Sequence, residues 1–266
     1  MNFRNKSLTV SFIISVMIIL FMLAGSVLNA LLMSFFILFV YYFLIYWVFD
    51  FDVSTLGFVT VLLTPAIYAQ TMCLFILSVS RGSDINRLVL LGSFFVIFII
   101  LQYINRAANI INVSNFKKIP LFNVSQSFNF ILSVLTLFVS MISLHILNLS
   151  PFLIVAYEAF LFFLLLFTNL IISDYPDRKS LFTYLVINEI FFICLDILLL
   201  FIDVRVVIKS VVLVIIYYLI LSNFIDLQKK KKANVVFMLK NLITVLFIVF
   251  LLFGFDKLLA AIGISY

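Results

Sequence analysis

Long apolar stretches separated by short polar breaks run along the whole chain. A membrane-spanning helix needs about 20 consecutive apolar residues to cross roughly 30 Å of hydrocarbon, and these stretches have that length. The pattern therefore predicts an all-α fold, a polytopic transmembrane helix bundle with about nine spans. The spans are predicted near Leu8–Gly25, Val27–Phe49, Leu56–Val79, Leu88–Ile111, Phe128–Leu149, Phe152–Ile172, Leu181–Ile202, Val206–Ile225 and Leu242–Phe255.

Glycine, serine and proline mark the breaks between spans and one interruption within a span. Gly25 and Ser26 separate the first two spans, and Ser150-Pro151 separates the fifth from the sixth. Pro65 lies inside the third span, where a proline removes a backbone hydrogen bond and kinks the helix. The polar gaps are too short for a soluble domain, so residues 1–266 are predicted to form a single transmembrane domain.

The composition fits a chain whose solvent is lipid. Hydrophobic residues make up 66% of the chain and charged residues 11%, and the mean hydropathy is +1.35. A soluble domain would carry about 25% charged residues. Cys73 and Cys194 both lie inside apolar stretches, which favours two small hydrophobic side chains over a disulfide or a metal pair.

The distribution of lysine and arginine predicts the orientation, because cytoplasmic loops carry the excess of basic residues. The same rule accounts for the net charge of +6, so the predicted partners are the lipid bilayer and other membrane proteins, with no nucleic acid. Asp50 and Asp52 are evidence against the predicted orientation, since the loop that contains them is assigned to the cytoplasm and has no basic residue. With a cytoplasmic N-terminus and an external C-terminus, twelve basic residues lie inside (Arg4, Lys6, Arg106, Lys117, Lys118, Arg178, Lys179, Lys229, Lys230, Lys231, Lys232, Lys240) and five outside (Arg81, Arg87, Arg205, Lys209, Lys257).

Charged residues inside the spans are candidate functional residues, because each costs at least about 2.5 kcal/mol in hydrocarbon. Glu189, Asp196 and Asp203 follow one another at seven-residue intervals, which places them on nearly one helix face. His145 and Glu158 lie on either side of the break between the fifth and sixth spans. A hairpin there brings these two residues to similar depth, level with Asp196.

The fourth span carries a second polar face, formed by Gln102, Asn105, Arg106 and Asn109. Arg106 and Glu189 lie toward the cytoplasmic ends of their spans and are predicted to form an ion pair between facing helices. Two interpretations of the intramembrane polar groups stay open. They satisfy one another and fix the helix register, or they line a cavity that relays protons or binds a cation or a polar head group.

Aromatic residues cluster near the end of the second span. Such residues are typical of the belt that anchors a helix at the membrane surface. The cluster consists of Tyr41, Tyr42, Phe43, Tyr46 and Trp47.

Sequence motifs of common membrane enzymes and pumps are absent. The chain has no glycine-rich phosphate loop, no H-E-x-x-H helix and no G-x-S-x-G turn. Its one histidine has no second histidine or cysteine at ligand spacing, so no metal site and no cofactor are predicted. An enzyme is therefore less favoured than a protein without catalytic activity.

The segment Asn109–Phe122 combines asparagines, two lysines and a proline ahead of the next span. It resembles an uncharacterised polytopic membrane protein family of small-genome, uncultured bacteria, a domain of unknown function. Val59–Tyr68 is similar to a leucine-rich, proline-containing helix of the same family. The resemblance covers roughly spans three to six and implies a multi-pass protein of a bacterial inner membrane. The family has no assigned activity, so the resemblance implies no role for any residue.

Three functions follow from these observations. The first is a non-enzymatic integral membrane protein that acts as a subunit or assembly factor, its helices packing against partner helices. The second is a small secondary transporter, or a proton- or cation-coupled permease, that uses His145, Glu158, Glu189 and Asp196. The third is a lipid-handling membrane enzyme, which requires His145, Glu158 and Asp196 to converge on one accessible pocket.

Overall fold

The computed structural model describes residues 2–21, 27–53, 58–82, 87–114, 122–172, 178–201 and 205–230, together with residues 243 and 254. The described residues form helices and turns without a β-strand, and each of the eight α-helices is long and apolar enough to cross a membrane. The predicted all-α transmembrane fold is confirmed. The predicted span at Leu242–Phe255 falls almost entirely outside the described residues. The helices are α1 (Phe3–Phe21), α2 (Val27–Val48), α3 (Thr64–Gly82), α4 (Arg87–Ser114), α5 (Phe122–Ile146), α6 (Pro151–Ile172), α7 (Arg178–Phe201) and α8 (Val206–Lys230).

Several helices extend beyond the apolar stretches from which they were predicted. α4 has 28 residues, about 42 Å of helix, so it is longer than the roughly 30 Å hydrocarbon layer. α5 begins at Phe122, six residues before the predicted start at Phe128. The backbone satisfies its own hydrogen bonds in a helix, which makes continuation into the headgroup layer favourable even where polar residues replace apolar ones.

Pro65 lies at the second position of α3, directly after a π-helical segment at Phe58–Leu63. A proline ring clashes with the carbonyl four residues earlier, here that of Val61, and supplies no backbone N–H. A wider π-helical turn separates these groups and still allows the chain to continue as a helix. The interruption predicted for the third span is thus a π-helical segment followed by an α-helix.

The chain divides into two compact units, Met1–Asn148 and Leu149–Tyr266. In the first unit α3 packs against α1, α2, α4 and α5. In its span, Val61–Val79, 15 of the 19 residues are buried, which makes α3 the central helix of this unit. The single transmembrane domain predicted for residues 1–266 stays a prediction.

The second unit contains α6, α7 and α8, and each of these helices packs against the other two. Pro151 is the first residue of α6, a position where the missing N–H costs nothing because the first turn has no intrahelical acceptor. Before it, Asn148 adopts a positive φ of 51°, a conformation that asparagine tolerates better than most residues. The predicted break at Ser150-Pro151 is therefore a true helix boundary.

Candidate functional site

Three helices of the second unit bring together two carboxylic acids and one lysine. Glu158 on α6 and Asp196 on α7 are each 0% exposed, and Lys209 on α8 is 4% exposed. The Lys209 Nζ atom lies 2.9 Å from Oδ1 of Asp196. The Glu158 carboxyl lies beside that of Asp196 and interacts electrostatically with both of the other side chains. We call these three residues the acid–lysine cluster.

The order of the helices explains how these residues meet. Consecutive spans run in opposite directions, so the start of α6, the end of α7 and the start of α8 lie at the same end of the unit. Glu158 lies about 10 Å from the start of α6, and Asp196 lies about 8 Å from the end of α7. Lys209 is only about 5 Å from the start of α8, but its long, flexible side chain can reach the carboxyls further along the bundle.

Aromatic side chains form a layer on the side of the cluster that faces the interior of the unit. Phe162 lies one turn beyond Glu158 on α6, and its ring stacks on that of Phe192 with 4.0 Å between the ring centroids. Tyr217 of α8 meets Phe162 edge-on at 5.6 Å. Its hydroxyl accepts a hydrogen bond of 3.1 Å from Nδ2 of Asn169. The acid–lysine cluster thus lies between the end of the unit and a tightly packed aromatic layer.

Lys209 is the residue of the cluster that sequence reasoning missed. Lys209 is predicted to lie with the basic residues on the outer side, whereas its side chain is buried and paired with Asp196. The sequence contains a sign that Lys209 lies within a span. It comes after the first residues of an apolar stretch, and apolar residues resume at Val211. With Lys209 buried among the helices, the predicted orientation has twelve basic residues on the cytoplasmic side and four on the outer side.

His145 belongs to the first unit, where it lies half-buried in the last turn of α5. Its Nδ1 atom is 2.9 Å from the carbonyl oxygen of Met141, one turn earlier. The predicted approach of His145 to Glu158 and Asp196 stays a prediction, since it joins residues of the two units. Within the described ranges, no group of three or more His, Cys, Asp or Glu side chains could hold a metal ion.

Glu189 and Arg106 are the predicted ion pair. Glu189 is half-buried on α7, and its Oε2 atom has no hydrogen-bond partner in the part of the chain that the structure describes. Arg106 is exposed on α4, and its guanidinium lies 5.8 Å from the centre of the Tyr103 ring. Their pairing also joins the two units and stays a prediction, and Asp203 lies outside the described residues.

The first unit contains a buried hydrogen-bond network centred on Asn105 of α4. The side-chain oxygen of Asn105 accepts a bond of 2.9 Å from the Tyr41 hydroxyl. Its amide nitrogen donates to Oγ of Ser7 at 3.2 Å and to Oγ of Ser11 at 3.1 Å. Gln102 adds a bond of 2.9 Å to the backbone carbonyl of Ser7. The network joins α1, α2 and α4, and it places Tyr41 in the core and not in the predicted aromatic belt.

An ion pair at one end of the same unit supplies a counter-charge to the loop that contains Asp50 and Asp52. The Nζ atom of Lys6 pairs with Asp50, and it also lies 5.1 Å from the centre of the Trp47 ring. Asn112, near the end of α4, donates a hydrogen bond of 3.0 Å to the carbonyl of Asp52. The loop that has no basic residue of its own therefore receives its counter-charge from the start of α1.

The two polar centres differ in what they can do chemically. The network around Asn105 contains only neutral groups and fixes how three helices pack. The acid–lysine cluster contains two carboxyls and one amine, which can gain or lose a proton. Its carboxylates can also bind a cation. Comparison of the chain with protein-family models, curated proteins and solved structures found no match. The function is therefore inferred from the acid–lysine cluster.

Proposed function

We propose that this multi-span membrane protein is a small secondary transporter, or a proton- or cation-coupled permease, whose coupling site is the acid–lysine cluster. The observation that supports the proposal is the burial of two carboxyls beside one lysine among membrane-spanning helices. Ionisable groups inside a membrane are costly, and they commonly mark proton relays and ion pathways.

The charge balance of the cluster explains how it would couple. With both carboxyls ionised and Lys209 protonated, the cluster carries one net negative charge, which is unfavourable in a region of low dielectric. One bound proton or monovalent cation makes it neutral. Exchange of that proton or cation switches the cluster between a charged and a neutral state. A difference of this kind can favour one arrangement of the helices over another.

Replacing Glu158 by glutamine tests the proposal, because the remaining Asp196 and Lys209 then form a neutral pair with no excess charge to balance. The protein is reconstituted in liposomes, and the transient current after a pH jump from 8 to 6 is recorded on a solid-supported membrane. We expect a current from the wild-type protein and none above that of empty liposomes from the Glu158→Gln variant.

Asp52→Asn is the matched control, since it removes an exposed carboxyl that lies outside the cluster. This variant should keep the wild-type current. A Glu158→Gln protein that is folded and still gives the wild-type current would rule out the proposed coupling site.

A second function, a membrane subunit or assembly factor, is favoured by one observation. α7 is the least buried of the described spans, with five of the 21 residues of Leu181–Phe201 buried. Glu189 on this helix has an Oε2 atom without a hydrogen-bond partner among the described residues. A carboxyl in the hydrocarbon region requires a partner or water, and a helix of another protein could supply one.

The charge exchange Arg106→Glu with Glu189→Arg separates an internal partner of Glu189 from an external one. If the sequence-based pairing holds, the double variant is more stable than either single variant in a titration with sodium dodecyl sulfate. If the partner is another protein, the double variant is no more stable than the less stable single variant. The first result removes the support for a subunit, and the second contradicts the pairing.

The third function, a lipid-handling enzyme, requires an accessible pocket that contains His145, Glu158 and Asp196. Glu158 and Asp196 are each fully buried, so their carboxyls have no opening to a lipid substrate in this structure. No observation among the described residues favours this function over the first two.

The proposal includes the location and orientation of the protein. We place it in a bacterial inner membrane with its N-terminus in the cytoplasm, on the family resemblance and on the positive-inside rule. The burial of Lys209 supports this orientation because it removes a basic residue from the outer loops.

A further inference from the structure

A pocket opens between α1 and α4 in the first unit. It has a volume of about 430 Å³ and is lined by Phe3, Arg4, Ser7, Gln102 and Arg106. Both arginines are exposed. None of these residues belongs to the acid–lysine cluster, whereas Ser7 and Gln102 also belong to the network around Asn105.

The pocket carries two positive charges that no acidic side chain neutralises within the described residues. Neither Arg4 nor Arg106 forms an ion pair there, and the carboxylate of Asp50 is paired with Lys6. A guanidinium has five N–H donors in a planar fork, a geometry that matches the oxygens of a phosphate group. Two such groups on one pocket favour an anion with several acceptor oxygens.

The walls of the pocket are held in place by contacts that a ligand need not supply. The Ser7 hydroxyl donates to Oε1 of Gln102 at 3.3 Å, and Nε2 of Gln102 donates to the Ser7 carbonyl at 2.9 Å. Phe3 stacks against Phe49 with 5.8 Å between ring centroids. The polar wall is therefore preorganised, and an apolar ring lies at its edge.

The position of the pocket along α4 places it near the surface of the membrane. Arg87 and Arg106 lie about 29 Å apart along the helix, which is close to the thickness of the hydrocarbon layer of about 30 Å. If Arg87 lies at one boundary, Arg106 lies at the other, at the depth of lipid headgroups.

We propose that this pocket binds the phosphate group of an anionic phospholipid, with Arg4 and Arg106 as the phosphate-binding residues. Basic pockets between membrane helices on the cytoplasmic side are suited to acidic headgroups, and Phe3 contacts the apolar part of the lipid. The N–H groups of Arg106 are numerous enough for a phosphate and for the predicted partner Glu189 together. The proposal does not depend on transport by the acid–lysine cluster.

The test measures lipid binding to the detergent-purified full chain by native mass spectrometry during titration with phosphatidylglycerol or phosphatidylcholine. We expect wild-type protein to bind phosphatidylglycerol more tightly than phosphatidylcholine. In the Arg4→Gln/Arg106→Gln variant the dissociation constant for phosphatidylglycerol should rise about 25-fold, because each basic residue near an anionic lipid contributes about fivefold.

The charge-matched control is Arg81→Gln/Arg87→Gln, which removes one arginine near the end of α3 and one at the start of α4. This variant should bind phosphatidylglycerol as wild type does. Equal weakening by both double variants, or equal affinity of wild type for the two lipids, would overturn the proposal. The single variant Arg106→Gln, expected to weaken binding about fivefold, serves the same test if the double variant does not fold.

Inorganic phosphate distinguishes the two sources of the phosphate group. A lipid site should keep its phosphatidylglycerol when inorganic phosphate is present at the same concentration, since the acyl chains and Phe3 contribute only to lipid binding. Displacement at equal concentration would assign the pocket to free phosphate and overturn the lipid proposal.

Discussion

The Lys209→Met variant is expected to have a free energy of unfolding about 3–5 kcal/mol lower than that of the wild-type protein. Methionine fills a volume similar to that of the lysine stem but leaves Asp196 and Glu158 side by side without a positive charge. Removing one member of a buried ion pair is costly because the remaining charge is neither solvated nor neutralised. In this cluster two carboxyls lose their counter-charge at once.

The acidic members of the cluster are expected to behave differently. In Glu158→Gln or Asp196→Asn, one carboxylate remains opposite Lys209, and the pair is neutral. The loss of stability in either variant should be no more than about 1.5 kcal/mol, the contribution of a typical hydrogen bond. The lysine is therefore expected to matter most for stability, whereas Glu158 is expected to matter for proton exchange.

Titration with sodium dodecyl sulfate in mixed micelles, followed by circular dichroism, measures these free energies. The double variant Lys209→Met/Asp196→Asn is the control, because it removes one of the two carboxyls that lack a counter-charge and should recover part of the loss. If Lys209→Met costs no more than Asp196→Asn, the charge balance described for the cluster is wrong.

The second large effect is expected at Asn105. The Asn105→Leu variant removes three side-chain hydrogen bonds, to Tyr41, Ser7 and Ser11. Polar contacts between membrane helices contribute about 0.6 kcal/mol each on average, so the loss should be about 2 kcal/mol. Leucine has the same branching and the same number of side-chain heavy atoms as asparagine, which limits the contribution of a change in packing.

Tyr41→Phe provides the matched control for Asn105→Leu, because it deletes one hydroxyl and hence one of the three hydrogen bonds. It should lower the free energy of unfolding by about 0.6 kcal/mol in the same titration. Equal losses in the two variants would mean that the bonds of Asn105 to α1 contribute nothing, contrary to the network described here.

The sequence predicts the helical fold because the length of an apolar stretch and the thickness of the hydrocarbon layer together determine a span. It also predicts how deep a residue lies in the membrane, since that depth can be counted in residues from a helix end. The start of α5 at Phe122 was less predictable, because a helix continues past the apolar residues that reveal it.

Contacts between helices were harder to predict than depths. The rotation of each helix about its axis depends on packing, which a single sequence does not reveal. Lys209 was therefore counted as a loop residue, although its depth is close to that of Asp196. Tyr41 was assigned to an aromatic belt for the same reason, since its position near a helix end gives no information about which side of α2 faces Asn105.

The central position of α3 has a consequence for the biogenesis of the protein. α3 packs against α5, which a ribosome synthesises only after α3 and α4 have been made. Until α5 arrives, the side of α3 that packs against it must remain in contact with lipid, the insertion machinery or a chaperone. A chain interrupted before α5 would expose this side of α3 and present a natural signal for membrane quality control.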